Sequence, residues 1–109
     1  MSDTISYEDC AKLDIRIATI KEAMPHPNAD KLLILKIDDG KEIRQLVAGI
    51  KETYNPDELP GKQIVFLANL EPKELRGEVS NGMLLAVDVD GKPFLLKPDK
   101  EVPPGSTVK

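Results

Sequence analysis

The chain has 109 residues, of which 40% are hydrophobic and 31% are charged, and its formal net charge is −4. This length predicts one domain, 1–109, with a modest core, and no run approaches the ~20 apolar residues of a transmembrane helix. The N-terminus, MSDTISYEDC, lacks a signal-peptide pattern, so we expect a cytoplasmic protein with no membrane contact. The acidic balance argues against a general affinity for nucleic acids.

A metal site, a cofactor and an enzymatic activity are not expected. The chain has one cysteine and one histidine, whereas zinc needs a larger set of such ligands. We interpret Cys10 as a small apolar residue that fills space in the packing, and His26, in PHPN, as an exposed loop histidine. No nucleophile–base pair and no glycine-rich phosphate loop is visible, so we predict no catalytic residues.

The first predicted elements are a helix over 5–12, with Ser6 as its cap, and a long strand in LDIRIATIKEAM. The odd-numbered apolar residues from Leu13 to Ile17 alternate with polar ones, which is typical of a half-buried strand. Further along, the apolar residues fall at even positions. One extra residue near Ala18–Thr19, a β-bulge, explains this shift and bends the strand.

The loop PHPNAD (25–30) follows, and LLILKI (32–37) and KEIRQLVAG (41–49) then predict a hairpin. NPDEL (55–59) predicts a short helix, because asparagine is a good cap and proline suits the first helical position. IVFLANL (64–70) is apolar on both faces and therefore predicts a central strand.

The register of the first hairpin depends on the length of its turn. A two-residue turn would pair Lys36 with Ile43 on one face. A three-residue loop pairs Leu35 with Ile43 on the inner face and is more consistent with the pattern. It also pairs Lys36 with Glu42 on the outer face. Gln45 then points inward as the one polar misfit.

After a long polar loop, the apolar runs 83–89 and 93–97 flank Asp90-Gly91, a strong two-residue hairpin signal. The chain order is therefore three strands, a short helix, a fourth strand, a long loop and a fifth strand. This order predicts an all-β fold of the OB type, a five-stranded Greek-key barrel with short helices. Ligands of that fold meet strands 2 and 3 and the loops joining strands 1–2 and 4–5. These loops are PHPNAD and EPKELRGEVSNG here, so the long loop lies at the rim of the predicted binding face.

The chain closely resembles the tRNA-binding domain family in the segments LDIRIATIKEA, PHPNADKL, QLVAGI, ANLEPKELRGEVSNGMLLA and LLKPDKEVPPGSTVK. That family includes the C-terminal domain of methionyl-tRNA synthetase, the detached archaeal beta subunit of that enzyme, small free-standing tRNA-binding proteins and a bacterial export-related chaperone. The resemblance extends from about Tyr7 to Lys109. It implies an OB-fold that binds tRNA by its shape and often dimerises. Because the chain starts with Met1 and ends where such domains end, we expect a complete small protein.

The resemblance also implies an RNA-binding site in the two rim loops and the adjacent strands. The residues matched to the family motifs are Asn28, Lys31, Arg44, Lys73, Arg76, Ser80 and Met83. A guanidinium suits phosphate because it donates two parallel hydrogen bonds, and hydroxyl or backbone N–H groups can contact phosphate or the 2′-OH. Four of these residues have a structural alternative: Asn28 and Ser80 as turn residues, Arg76 as a solvated turn arginine, and Met83 as a core residue. Relatives often carry lysine or arginine where this chain has Glu71 and Glu74.

The resemblance therefore implies a non-catalytic, structure-specific tRNA-binding protein. This protein would act as the beta subunit or trans-acting module of methionyl-tRNA synthetase, with the catalytic subunit as a possible partner. We expect little preference among tRNA species, because none of the four aromatic residues falls in a rim loop or on strands 2 and 3. The alternative is a peptide-binding chaperone of the same fold, related to protein export, which an exposed apolar groove would favour. We also expect a homodimer, because Leu32, Ile34 and Leu46 point outward in the chosen register and residues 94–96 are apolar on both faces. The C-terminal tail, 98–109, is expected to contribute to it.

Overall fold

The protein is described by a computed structural model that covers residues 3–109. Its elements are α1 (Tyr7–Ala11), β1 (Ile15–Pro25), β2 (Leu33–Asp38), β3 (Ile43–Ala48), a 3-10 turn (Pro56–Glu58), β4 (Gln63–Leu67), β5 (Lys73–Leu75), β6 (Glu78–Ser80), β7 (Met83–Leu84), β8 (Ala86–Val89) and β9 (Lys92–Leu95). Across this range no helix has the length and apolar character needed to cross a membrane.

A five-stranded antiparallel sheet in the order β3-β2-β1-β4-β7 forms the body of the molecule. The long strand β1 pairs with β4 through Ile15–Thr19 and with β2 through Thr19–Pro25, so it belongs to both halves of the sheet. The sheet curls, and the backbone N–H of Asn81, before β7, donates to the carbonyl of Gln45 on β3 at 2.8 Å. This strand order and curl confirm the predicted all-β class with an OB-like barrel. Two further hairpins, β5–β6 and β8–β9, extend from it.

The predicted bulge in β1 is present, slightly later than expected. Its register with β2 shifts between Ile20 and Glu22, which makes Lys21 the extra residue. The even-numbered Ala18 and Ile20 lie in the core and are 0% exposed. Ile17 is also buried, but it points to the opposite face. The alternation alone did not identify the inner face, because both faces of this strand segment are covered.

The C-terminal tail pairs with the first half of β1, on the edge that β2 leaves free. Ile17 N–H donates to the Ser106 carbonyl at 2.9 Å, and Gly105 N–H donates to the Ile17 carbonyl at 2.7 Å. An isolated bridge joins Arg16 to Thr107. The tail therefore caps a sheet edge within its own chain, which protects the unpaired backbone groups of β1.

The predicted register of the β2–β3 hairpin is wrong. Leu35 pairs with Leu46, and Lys36 pairs with Gln45 rather than with Glu42. The turn is wider than predicted because the buried carboxylate of Asp39 accepts hydrogen bonds from the backbone N–H groups of Lys41 and Glu42, at 2.9 and 2.8 Å. Leu46 consequently lies in the core.

The core is one apolar cluster formed by Ala18, Ile20, Leu33, Leu35, Ile37, Leu46, Ala48, Ile50, Leu59, Ile64 and Phe66. The 3-10 turn supports it from one end: the Asn55 side chain accepts from the Asp57 N–H at 2.9 Å, and Leu59 follows as a core residue. Near the N-terminus, Ser6 caps α1 as predicted, because its side chain accepts a hydrogen bond from the Asp9 N–H at 3.1 Å. Cys10 is exposed, so its prediction as a packed residue is wrong, because α1 buries none of its side chains.

Candidate nucleic-acid interface

The two loops predicted to form the rim meet at one end of the barrel. We call residues 26–32, between β1 and β2, the first rim loop, and residues 68–82, between β4 and β7, the second rim loop. The His26 Nε2 atom lies 2.8 Å from the Leu75 carbonyl oxygen. The Asn28 Nδ2 group donates to the Arg76 carbonyl at 3.4 Å. Segments distant in the sequence therefore form one continuous surface.

His26 joins the two rim loops through hydrogen bonds of its buried ring. It is 5% exposed, so the prediction of an exposed loop histidine is wrong. Its Nδ1 accepts from the Asn28 N–H at 2.9 Å, which places the ring proton on Nε2, where it donates to the Leu75 carbonyl. Both ring nitrogens are thus bonded, and these bonds compensate for the burial of a polar group. The sequence contained no local signal for this role, because Leu75 is remote along the chain.

The second rim loop contains the β5–β6 hairpin, which the sequence analysis treated as a loop. Its tip is Arg76-Gly77, with φ values of 55° and 94°, as in the turn that matches the twist of paired strands. Arg76 is exposed at this tip, and a left-handed conformation is uncommon for a residue with a Cβ atom. The available signal was Arg76-Gly77 between the two short runs KEL and EVS.

The hairpin is anchored to β3 by side-chain hydrogen bonds. The Ser80 hydroxyl accepts from the Val47 N–H at 3.0 Å and donates to the Gly82 carbonyl at 2.9 Å. The Gln45 amide donates to the Val79 carbonyl at 3.0 Å and to the Glu78 carboxylate at 3.1 Å. Gln45 was expected to point inward, but the observed register turns it toward the hairpin.

Ser80, a predicted RNA contact, is buried at 5% exposure. Its hydroxyl already donates and accepts within the protein, so an RNA contact would break at least one of these bonds. The geometry gives this side chain a structural role, and its contact with RNA stays a prediction.

Arg44, another predicted RNA contact, is also largely enclosed, with a side chain 16% exposed. Its Nε donates to the Asp39 carboxylate at 2.8 Å, and its Nη1 donates to the Ala68 and Asn81 carbonyls at 3.0 and 3.2 Å. The guanidinium also lies over the Phe66 ring, 5.2 Å from its centroid. Most of the hydrogen-bond donors of Arg44 are therefore used within the protein.

The environment of Asp39 favours its charged form. Burial by itself raises the pKa of this carboxyl, but hydrogen bonds from the Glu42 and Lys41 N–H groups and from Arg44, with the charge of Arg44, outweigh it and leave the pKa lowered. The Asp39–Arg44 pair is therefore charged under ordinary conditions.

The exposed cations of the rim are Lys31, Lys73 and Arg76. Lys31 lies 3.5 Å from Glu52, and both side chains are solvent-exposed, so their attraction is weak. Lys73 and Arg76 belong to no ion pair within residues 3–109. Two cations on one small hairpin are thus available to an anionic ligand.

Apolar and acidic side chains surround these cations. Met83, at the start of β7, is 46% exposed, and Val79 on β6 is 48% exposed, so the surface can also contact the apolar parts of a ligand. Glu74 pairs with Val79 across the hairpin and shares its outward face. Glu71 is exposed as well. These carboxylates oppose the binding of phosphate.

The structure brings most of the predicted site residues to this end of the barrel. Asn28, Lys73, Arg76 and Met83 lie on or beside the two joined rim loops and are exposed. No group of three or more histidine, cysteine or acidic residues in 3–109 is arranged to hold a metal ion.

Comparison with known proteins identifies the family of this chain. Residues 15–107 match the family described as "Putative tRNA binding domain". The chain is 55% identical over 105 residues to methionine–tRNA ligase from Pyrococcus horikoshii and 51% identical over 108 residues to that from Parabacteroides distasonis. These alignments cover 96% and 98% of this chain but only 14% and 16% of the ligases.

Two solved structures match the fold over its full extent. A MetRS-related protein from Pyrococcus horikoshii superposes with a TM-score of 0.92 at 33% identity, over 99% of this chain and 100% of that chain. The chaperone CsaA from Bacillus anthracis superposes with a TM-score of 0.91 at 34% identity, over 98% and 100%. The match to that family over residues 15–107, which is most of the chain, shows that this chain belongs to the family of tRNA-binding domains.

Proposed function

We propose that this domain binds folded tRNA on the surface formed by the two joined rim loops. It acts as a non-catalytic module for methionyl-tRNA synthetase in the cytoplasm, as its beta subunit or as a free-standing partner in trans. The observation that carries this proposal is the β5–β6 hairpin. It presents Lys73 and Arg76, which form no ion pair with any residue in 3–109, and it is joined to the first rim loop through His26.

The chemistry of the rim suits the RNA backbone. Lysine and arginine side chains contact phosphate oxygens, and Arg76 can donate two parallel hydrogen bonds to one phosphate. The exposed Asn28 amide can reach a sugar hydroxyl or phosphate beside it. Met83 and Val79 supply apolar contact to a ribose or base edge. Lys31 contributes positive charge from the end of the first rim loop.

Recognition by shape is the expected mode. Proteins that grip unstructured single strands stack the bases on aromatic side chains, and the chain has two tyrosines and two phenylalanines. Phe66 is buried in the core, and the Tyr54 hydroxyl accepts from the Leu95 N–H at 3.0 Å. Tyr7 and Phe94 lie on α1 and β9. None of the four belongs to a rim loop or to the strands β2 and β3.

A competition experiment tests this proposed function. Labelled tRNA bound to the protein is challenged with unlabelled tRNAs of several species and with a poly-pyrimidine strand of equal length. We expect every folded tRNA to compete within about threefold of the others, and the single strand to compete far more weakly, because the rim lacks stacking platforms. Equal competition by the single strand would contradict recognition by shape, and absence of tRNA binding would contradict the proposed function.

The two exposed carboxylates of the second rim loop are expected to limit affinity. Replacing Glu71 and Glu74 by lysine should strengthen tRNA binding by about tenfold at low salt, since two repulsive charges become attractive. Titration of labelled tRNA measures this effect. The matched control replaces Asp99 and Glu101 by lysine. This changes the net charge by the same amount, but both residues lie on the C-terminal tail. A gain of the same size in the control would assign the effect to net charge rather than to the rim.

We also propose that the domain forms a homodimer. On the β8–β9 hairpin, Val87 pairs with Phe94 and Val89 pairs with Lys92, so these residues share one face. Val87, Phe94 and Val89 are 47%, 42% and 49% exposed, and Leu96, just after β9, is 38% exposed. This exposed apolar face, which Lys92 borders, is of the kind that protein contacts cover. Helix α1 offers a second uncovered surface, because none of its residues is buried.

The residues expected to carry the dimer from sequence need revision. Leu46 and Ile34 are buried, at 0% and 5% exposure. The observed register turns Leu46 into the core. The contribution of the C-terminal tail to the dimer stays a proposal. Residues 105–108 of the tail pair with β1 of the same chain.

The dimer is tested by replacing Val87 and Phe94 with glutamate. Charges at both positions of one cross-strand pair should prevent apolar burial between copies, so we expect sedimentation at micromolar concentration to change from dimer to monomer. The exposed Ile43 on the edge of β3, replaced by glutamate, is the control. A wild-type protein that sediments as a monomer would contradict the proposal.

The second candidate function is that of a peptide-binding chaperone, and the protein described as the chaperone CsaA shares the fold. The same apolar face of the β8–β9 hairpin supports it, since unfolded segments bind to exposed apolar surface. Binding of an unfolded test protein that is unaffected by excess tRNA, together with weak binding of tRNA itself, would favour this function over the first.

A further inference from the structure

We propose that Arg44 is a positioning residue that clasps the base of the second rim loop and thereby holds the β5–β6 hairpin in its binding orientation. The inference rests on the proposed function only for its effect on tRNA. It differs from a direct contact with RNA, which is the role that the sequence predicted for this residue.

The clasp is formed by one nitrogen. Arg44 Nη1 donates to the carbonyl of Ala68, at the beginning of the loop, at 3.0 Å, and to the carbonyl of Asn81, at its end, at 3.2 Å. The two ends of the loop therefore share a single charged donor. Hydrogen bonds from a charged donor are stronger than those between neutral groups, so this point holds the loop ends together more firmly than a backbone contact.

The guanidinium is itself fixed in orientation from two further directions. Its Nε donates to the Asp39 carboxylate at 2.8 Å, and that carboxylate is held by the N–H groups of Lys41 and Glu42 in the β2–β3 turn. The Phe66 ring lies under the guanidinium plane. The base of the loop is thus connected to the turn of β2–β3 and to the core at the same place.

Arginine is required for this geometry. A guanidinium donates along two edges of one plane, whereas the lysine ammonium is a single charged centre. A lysine at position 44 keeps the charge, but it cannot bond Asp39 through one nitrogen and both carbonyls through another. The Arg44→Lys variant therefore keeps the positive charge but removes the hydrogen bonds that position the loop.

Other hydrogen bonds also hold this loop. The Ala68 N–H donates to the Asp14 carbonyl at 2.7 Å, and the Asn81 N–H donates to the Gln45 carbonyl at 2.8 Å. Ser80 and Gln45 hold β6 beside β3, and His26 holds Leu75 near the tip. Loss of the clasp should loosen the ends of the loop without unfolding the barrel. The cations Lys73 and Arg76 would then be presented in many orientations, and tRNA would bind at the cost of ordering them.

The experiment measures backbone hydrogen exchange and tRNA affinity for Arg44→Lys and Arg44→Met, with Arg76→Ala as the matched control. For both Arg44 variants we expect exchange in 68–82 to rise tenfold or more in the absence of tRNA, while exchange in β1 and β4 stays near the wild-type rate. Affinity for tRNA should fall at least fivefold, with no change in its salt dependence for Arg44→Lys. The Arg76→Ala control should bind tRNA more weakly and with a smaller salt dependence, while hydrogen exchange in 68–82 stays at the wild-type rate.

Two outcomes would overturn the clasp. Wild-type exchange in 68–82 for Arg44→Lys would show that Arg44 does not hold the loop. Full affinity of Arg44→Lys, with a loss of affinity and salt dependence in Arg44→Met, would assign Arg44 to a direct phosphate contact. Should Arg44→Met fail to fold, the lysine variant alone decides between these outcomes. Exchange requires no tRNA, so failure of the proposed function leaves the test of the clasp intact.

Discussion

The double variant Lys73→Ala, Arg76→Ala is expected to bind tRNA on the order of 100-fold more weakly than the wild type. Each side chain is exposed on the β5–β6 hairpin and belongs to no ion pair within residues 3–109, so the proposed contact with tRNA would be its main interaction. Loss of a hydrogen bond to a charged group costs about 1.5 kcal/mol or more, and two such losses correspond to about two powers of ten in the dissociation constant.

Titration at several salt concentrations measures both the loss and its cause. Each phosphate contact contributes roughly 0.7 to 0.9 to the log–log slope of affinity against salt, so the loss of two contacts should decrease the slope in magnitude by about 1.4 to 1.8. Lys92→Ala, which removes a cation from the β8–β9 hairpin, is the control and should leave both quantities unchanged. A double variant with wild-type affinity would show that the site lies elsewhere on the domain.

Replacement of Asp39 by asparagine is expected to lower the free energy of unfolding by about 3 kcal/mol at neutral pH. Removing one partner of a buried ion pair leaves the other charge uncompensated, which typically costs this much. The Asp39 side chain is 5% exposed and accepts hydrogen bonds from Lys41, Glu42 and Arg44. An amide cannot replace all of these acceptors, because its NH₂ group is a donor.

The same variant should change the dependence of stability on pH. The pKa of Asp39 in the folded protein is lowered from 3.8, so its stabilising contribution is complete above the unfolded pKa and is lost as pH falls through the folded value. The difference in unfolding free energy between wild type and Asp39→Asn should therefore be constant from about pH 5 to pH 7 and decrease below about pH 4. Urea unfolding at several pH values measures it. Asp57→Asn, at an exposed carboxylate, is the control, and a difference that grew on acidification would contradict the charged pair.

Local sequence by itself determined the order of the elements and several of their ends. Ser6 caps α1, and Asn55 caps the turn before Leu59, because short polar side chains satisfy free N–H groups at helix starts. Asp90-Gly91 forms the β8–β9 turn with φ values of 53° and 84°. Such features depend on a few consecutive residues, so their signals are complete within short segments. The order of the elements then predicted the OB-type sheet and the position of the rim.

Tertiary structure alone decided the register, the buried faces and the roles of the polar residues. Asp39 sets the β2–β3 register, because its carboxylate accepts hydrogen bonds from Arg44 and from the N–H groups of Lys41 and Glu42. These bonds require a turn wider than the one that the sequence predicted. His26 is buried because the second rim loop covers it, and Ser80 because β3 provides a partner for its hydroxyl. Each of these outcomes depends on a hydrogen-bond partner far away in the chain. The sequence lists such groups without showing which of them meet. It could therefore indicate the proposed binding surface but not separate the residues that build this surface from those that are exposed on it.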